Sequence, residues 1–197
     1  QAQFQPVAAV AVLEPAVAEA AGLETEPEVI RLIAELSRAY GNAQDPRALA
    51  FAERALAAAE PLELMPVIAE ALINRALALG YAGRLHEPMA ILRGVLALAE
   101  AHGLIDSQLR ALNNLAAGLG NEDLRAGLEV SRTGVEVAQR RGDRGWMLQF
   151  LAGVCGFATF VGEWDEGSRV LADIEGAELP ASVAVQLTMS APTRRRN

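Results

Sequence analysis

Few residues in this chain are equipped for covalent or acid–base chemistry. The two histidines, His86 and His102, each fall at the end of a predicted helix, where a solvated or capping role suits them better than a metal or catalytic one. The single cysteine, Cys155, lies in the apolar run 151–160 with no histidine or lysine beside it in sequence. It reads as a small buried side chain rather than a nucleophile. With one cysteine no disulfide can form within the chain, which fits a reducing compartment. There is no Gly-rich phosphate loop, no His-Glu-x-x-His and no cysteine pair for zinc. The carboxylates are scattered along predicted helices, and none forms a pair embedded in an apolar run, as general acid–base work favours. Arg141-Gly142-Asp143 spells an adhesion tripeptide, but it falls where one predicted helix stops and the next is capped. The residues therefore predict no enzyme, no cofactor and no metal.

Recognition is the chemistry left to the polar side chains, and a repeat places them. Residues 72–142 are two copies of one unit, related by a shift of 39: Asn74 falls on Asn113, Arg93 on Arg132, Ala99 on Ala138 and Gly103 on Gly142. A fixed period of this size marks stacked supersecondary units. Equivalent positions then form columns across neighbouring first helices. Ile68, Ser107 and Trp146 make one column; Ala71, Arg110 and Gln149 another; Arg75, Asn114 and Gly153 a third. Within each helix these positions are three and four apart, so they share a face. The columns Leu72, Ala111, Phe150 and Ala76, Leu115, Val154 are apolar and belong in the core. The expected partner-binding stripe is Arg75, Arg110, Asn114, Trp146 and Gln149, with Asn74 and Asn113 at its edge. The Asn pair could instead stitch adjacent helices by hydrogen bonds, and Trp146 could be a packing residue.

The elements that carry this stripe are helices. Of 197 residues, 52% are apolar and 5% aromatic, so a sizeable core of Ala and Leu is available. Small, straight side chains suit closely packed helices. Period-two clusters of β-branched and aromatic residues are absent, which predicts an all-α fold. The net charge of -8 argues against a nucleic-acid or anionic-membrane surface. All 17 basic residues are Arg, and the one basic run, Arg194 to Arg196, reads as a frayed linker. The apolar run Val7 to Leu13 is too short to span a membrane and lacks the basic start of a signal peptide. Beginning at Gln1 rather than Met, the chain is expected to be a soluble, cytoplasmic fragment.

In chain order, a first helix is expected over 6–21, interrupted by Pro15 and ended by Gly22, and a second over 28–40 closed by Gly41. Asp45-Pro46 then opens a helix to about Ala59, with Asp as N-cap and Pro at the first helical position. Pro61 starts the next, to Leu79, with Gly80 and Gly83 breaking it. Further helices are expected over 86–101, 106–119, 123–141, 143–161 and 165–175, with a weaker one over 181–189 and disorder beyond Pro192. The inter-helix turns Gly41 to Asp45, Gly80 to Arg84, Gly120 to Asp123 and Gly162 to Asp165 recur with stop-then-cap chemistry.

Three segments carry a family resemblance. They are Ala71-Leu-Ile-Asn-Arg-Ala with Gly80-Tyr-Ala-Gly-Arg, Ala111-Leu-Asn-Asn-Leu-Ala with Gly120-Asn-Glu-Asp, and Arg140-Arg-Gly-Asp-Arg-Gly-Trp146. With the turn Gly162-Glu-Trp-Asp165, they resemble tetratricopeptide (TPR) repeats of a long variety, found in bacterial multidomain regulatory proteins. The period of 39 is longer than the family's usual one, and its consensus aromatic positions are mostly small or aliphatic here. The resemblance covers about 30–175. It implies a TPR-like right-handed solenoid whose first helices line a concave binding surface. It also implies a parent carrying an ATPase module and a class III nucleotide cyclase or helix-turn-helix domain, none of which matches this stretch.

The expected organisation is an N-terminal helix or linker over 1–26, a helical-hairpin array over 27–178, and a capping helix and tail over 179–197. The expected function is non-catalytic: a scaffold holding a protein or peptide partner, or other domains of its parent, along the concave face, without direct nucleic-acid or membrane contact. A small-molecule sensor and a homo-oligomerisation module, such as a homodimer, are the alternatives.

Overall fold

The structure, a computed structural model, describes residues 6–120 and 122–174. The described residues form nine α-helices and no strand: α1 Pro6–Glu19, α2 Pro27–Asn42, α3 Arg47–Ala59, α4 Met65–Tyr81, α5 His86–His102, α6 Ile105–Leu119, α7 Leu124–Arg141, α8 Arg144–Val161 and α9 Trp164–Ile174. The expected helix over 181–189 and the tail beyond it lie outside the described residues. The contacts divide the chain into two compact units, with the boundary between Ala111 and Leu112, inside α6.

In the first unit α1 packs on α2, α2 on α3 and α4, α3 on α4, and α4 on α5. Its core joins Ile30, Ile33, Leu36 and Tyr40 of α2 to Ala48, Ala55 and Ala59 of α3 and to Val67, Ile68 and Ala71 of α4. The buried face of α3 is alanine throughout (Ala48, Ala52, Ala55, Ala59), four, three and four residues apart, so this helix can approach its neighbours closely. Ser37 on α2 donates to the Ala48 carbonyl at 2.9 Å, a buried bond that joins the two helices where side chains are too small to interlock. Val17 of α1 is buried, Val10 and Leu13 pack on the same core, and Glu14 reaches Arg47 at 2.8 Å.

In the second unit α8 packs on both α7 and α9. Buried Phe150 of α8 is seated on Gly134 of α7: a Cβ at Gly134 would lie 2.3 Å from the ring. Phe157, two turns further along α8, fills the space left by Gly120 and Gly127 in the same way. Helix α8 is long and apolar enough to cross a membrane by length and composition. Here Leu148, Ala152, Val154, Cys155 and Ala158 instead bury themselves with Leu128 of α7 and with Val170 and Ile174 of α9.

The backbone repeats as the sequence does. Leu104 N–H donates to Ala99 O at 2.8 Å, and 39 residues later Asp143 donates to Ala138 O at 3.0 Å, with Gly103 and Gly142 left-handed at φ +64° and +74°. Between first and second helices, Asp45 donates to Tyr40 O and Arg84 to Leu79 O, at 2.9 and 3.0 Å. These bonds relocate two of the expected stops. Gly41 and Gly80 lie inside the last turns of α2 and α4, and the left-handed residues are Gln44 and Gly83, three positions later. Asp123 and Asp143 cap α7 and α8, accepting from Ala126 N and Trp146 N at 3.0 Å each. Asp45 accepts from Arg47 N at 2.9 Å, which leaves Pro46 at the cap rather than at the first helical position. Pro61 does not start α4. It belongs to a 3-10 turn, Glu60–Leu62, followed by left-handed Glu63, and Pro66 opens the helix instead. Pro15 does not split α1, which runs through it.

Candidate functional site

In the first unit two residues of the expected stripe, Asn74 and Arg110, meet. Asn74 on α4 is 3% exposed. Its amide donates to Ala34 O of α2 at 2.9 Å, and its carbonyl oxygen accepts from Arg110 Nη2 at 2.6 Å. Arg110, with its side chain 15% exposed, also pairs with Glu70, whose other oxygen accepts from buried Ser107 at 3.1 Å. Burial pulls the Arg110 guanidinium below its ordinary value, and Glu70 works against that shift. The result is a polar chain from α2 through α4 to the start of α6. Arg75 turns elsewhere. It donates to Glu87 at the start of α5 at 3.1 Å and lies 3.7 Å from Glu53 of α3.

In the second unit Asn113, Ala116 and Ala117 of α6, Ser131 of α7, and Gln149, Phe150, Gly153 and Phe157 of α8 line a pocket of 240 Å³. No charged side chain is in the lining. Ser131 is 1% exposed and donates its proton to Gly127 O at 2.9 Å, so its oxygen remains able to accept. Trp146, half-buried one turn before Phe150, stacks on that ring with centroids 5.8 Å apart. Asn114 is half-buried on α6 next to Asn113. Thus Asn113 and Gln149 share a pocket, Trp146 backs one of its walls, and Arg75, Asn74 and Arg110 belong to the first unit.

Reasoning from sequence missed Ala116, Ala117, Ser131 and Phe157 as pocket residues, although the 39-residue shift carries a signal for two of them, Ala116 and Ser131. Their counterparts and those of the other lining residues can be read off directly: Leu77 stands where Ala116 does, Leu92 where Ser131 does, and Arg110 where Gln149 does. These three replacements remove side-chain volume, whereas Phe150 and Phe157 stand where Ala111 and Gly118 do and add it. A neighbouring pair is exchanged without loss: Val95 and Ala111 correspond to Gly134 and Phe150, the ring taking the room the valine gives up.

The remaining reactive types are accounted for. Cys155 is buried, its thiol pushed up by desolvation and directed at Gly167 O at 3.6 Å. His86 and His102 are exposed first and last residues of α5. Arg132 is held by Glu163 at 2.7 Å and by Glu166, whose carboxyl that guanidinium keeps below the usual range. Arg47 holds Asp45 low in the same way and lies 4.3 Å above the Tyr40 ring. No group of three potential metal ligands occurs among the described residues.

Solved structures define the class of this fold. A Podosopora anserina protein described as a kinesin light chain with nearly identical TPR-like repeats aligns at a TM-score of 0.63 and 19% identity, over 95% of this chain and 90% of that one. A point variant of that protein aligns at 0.65, also at 19% identity, over 94% and 90%. BtubC (BKLC) of P. vanneervenii aligns at 0.57 and 14% identity, over 99% and 97%. No family model matches the chain, and no curated protein does. The fold is an all-α, TPR-like helical repeat.

Proposed function

We propose that the chain is a non-catalytic interaction module that holds a segment of a protein partner on the first helices of its second unit. The observation that carries this reading is the pocket between α6, α7 and α8, where two carboxamides and two phenyl rings converge. A few placed polar groups on apolar walls are what a recognition site needs. Asn113, Asn114, Trp146 and Gln149 are the residues we assign to the partner. Asn74 and Arg110 hold first helices of the first unit in register, and Arg75 ties α4 to α5. TPR-like neighbours support the interaction role, and the resemblance of the repeat segments to bacterial regulatory proteins supports a regulatory parent whose own domains could be the partner.

The test is a photoreactive diazirine side chain at Ala117, on the exposed rim of the pocket, against the same group at exposed Ala97 of α5. In cells, one partner should cross-link at Ala117 and not at Ala97, and Trp146→Ala with Gln149→Ala should abolish it. Identical products at both positions would refute the site. A self-association reading draws on Phe160 and Trp164, 65% and 57% exposed at the α8–α9 turn. Light scattering across a concentration series would show a dimer that Trp164→Ser dissolves.

A further inference from the structure

We propose that a second copy of this chain covers the bare face of α1, forming an antiparallel α1–α1 pair. The proposal concerns a different surface from the second-unit pocket and goes beyond the partner-binding reading. It starts from the repeat. A shift of 39 lays 8–20 on 47–59, and Ala9, Glu14, Ala16 and Ala20 fall on Ala48, Glu53, Ala55 and Ala59. Helix α1 therefore stands in the register of α3, the second helix of a hairpin. Helix α3 packs on α2 and on α4. Helix α1 packs on α2, which answers to α4, and no described helix precedes α1 to answer to α2. The face left over is the one a first helix covers. Phe51 of α3 lies against Tyr40 of α2 with ring centroids 5.2 Å apart, and Arg47 sits 4.3 Å above the same ring. Their counterparts on α1 are Val12 and Ala8, and both are exposed, Val12 by 72%. Ala11, Pro15 and Ala18 extend that exposed face at helical spacing.

The chemistry of α1 narrows the occupant. The helix is apolar on both sides, and such helices belong in an interior. Its charged residues are Glu14, which turns to Arg47, and Glu19. Its 14 residues span about 21 Å, short of the roughly 30 Å of a bilayer core, and it carries no Arg or Lys to meet a headgroup surface. A helix is what fits, because the same face of α3 has a helix against it. On a second copy the first helices α2, α4 and α8 are already packed on two or more neighbours each. The outer side of α9 exposes Asp165, Arg169 and Asp173, and α1 has no cation to receive the two carboxylates. The exposed face of α1 is instead its own complement. Its small side chains let two backbones approach closely, and pairing Ala8, Ala11, Val12 and Pro15 with their counterparts buries no charge. The antiparallel direction places the exposed Glu19 of each copy beside the positive N-terminal end of the other α1, whereas a parallel pair would set the two Glu19 carboxylates side by side.

The experiment is light scattering on the full chain from micromolar to millimolar concentration. The mass should rise from 20.8 kDa towards twice that value. Val12 lies near the middle of α1 (Pro6–Glu19), so in an antiparallel pair it meets its own counterpart. Val12→Glu and Val12→Arg should therefore each hold the chain at 20.8 kDa over the same range, by setting like charges together. Mixing the two variants should restore association, because the charges then oppose. Both variants should keep the urea midpoint of the unsubstituted chain, measured at a concentration where all three are monomers, since Val12 faces solvent in the single copy. A mass of 20.8 kDa throughout for the unsubstituted chain, a dimer that survives Val12→Glu, or a mixture of the two variants that stays monomeric would each overturn the proposal. A dimer that Trp164→Ser dissolves and Val12→Glu does not would place the contact at the α8–α9 turn instead.

Discussion

The two units share a period and a set of backbone hydrogen bonds, yet they hold together differently. In the first, buried polar side chains span the helices: Ser37 to Ala48 O, Asn74 to Ala34 O, and Arg110 to Asn74 and Glu70. In the second, the same layers are joined by rings set into glycines, Phe150 on Gly134 and Phe157 on Gly120 and Gly127. Asn74 and Asn113 are the same residue one repeat apart. One is closed into the interior and the other lines a cavity, because the residue opposite is an arginine in the first case and a glutamine in the second. An identical side chain in an identical backbone register is thus structural or available according to the size of its neighbour.

The largest effect should come from the ring. Phe150→Ala should destabilise the chain by about 3–5 kcal/mol in urea unfolding. Adding Gly134→Val, which recreates the Ala111 and Val95 arrangement of the first unit, should recover at least about 1 kcal/mol, since contacting residues couple on that scale. Strictly additive losses would mean that the two packings are not interchangeable.

The asparagines sharpen the contrast. Asn74→Ala leaves a buried carbonyl and part of a buried guanidinium without partners and should lose about 1–3 kcal/mol. Asn113→Ala should change stability by less than about 0.5 kcal/mol, as at other positions away from the core. Matching losses at the two sites would erase the distinction. Gln149→Arg should move the second unit towards the first, raising the urea midpoint by the equivalent of up to about 1 kcal/mol as the new guanidinium reaches Asn113. A fall in the midpoint would show that the lining cannot close around an arginine.

The smallest expected effect is on pH dependence, and both units should show it. Arg47 holds Asp45 low in the first unit, and Arg132 holds Glu166 low in the second. With folded values below unfolded ones, the unfolded chain binds more protons, so stability rises with pH through the acid range. The contribution is complete at neutral pH and is lost as pH falls through the ordinary carboxylate range, near pH 4, and below it. These pairs are near the surface, so each should contribute only tenths of a kcal/mol. Arg132→Met should flatten the slope of midpoint against pH below about pH 5, and an unchanged slope would remove Glu166 from the account.

The sequence alone determined the class and the register. Low aromatic content, abundant Ala and Leu, and glycines and aspartates at fixed intervals leave few alternatives to stacked helical hairpins, because helix-stop and helix-cap chemistry is local. Core columns such as Ala76, Leu115 and Val154 were legible for the same reason: period and polarity together fix a helix face. What only the tertiary structure decided is which polar side chains of that face are used internally. Arg110 and Gln149 occupy the same column, and their sequence neighbourhoods do not reveal that one finds Glu70 and Asn74 across a helix interface while the other lines a cavity with Asn113. That outcome depends on summed side-chain volume from three helices, a quantity that no single stretch of sequence contains.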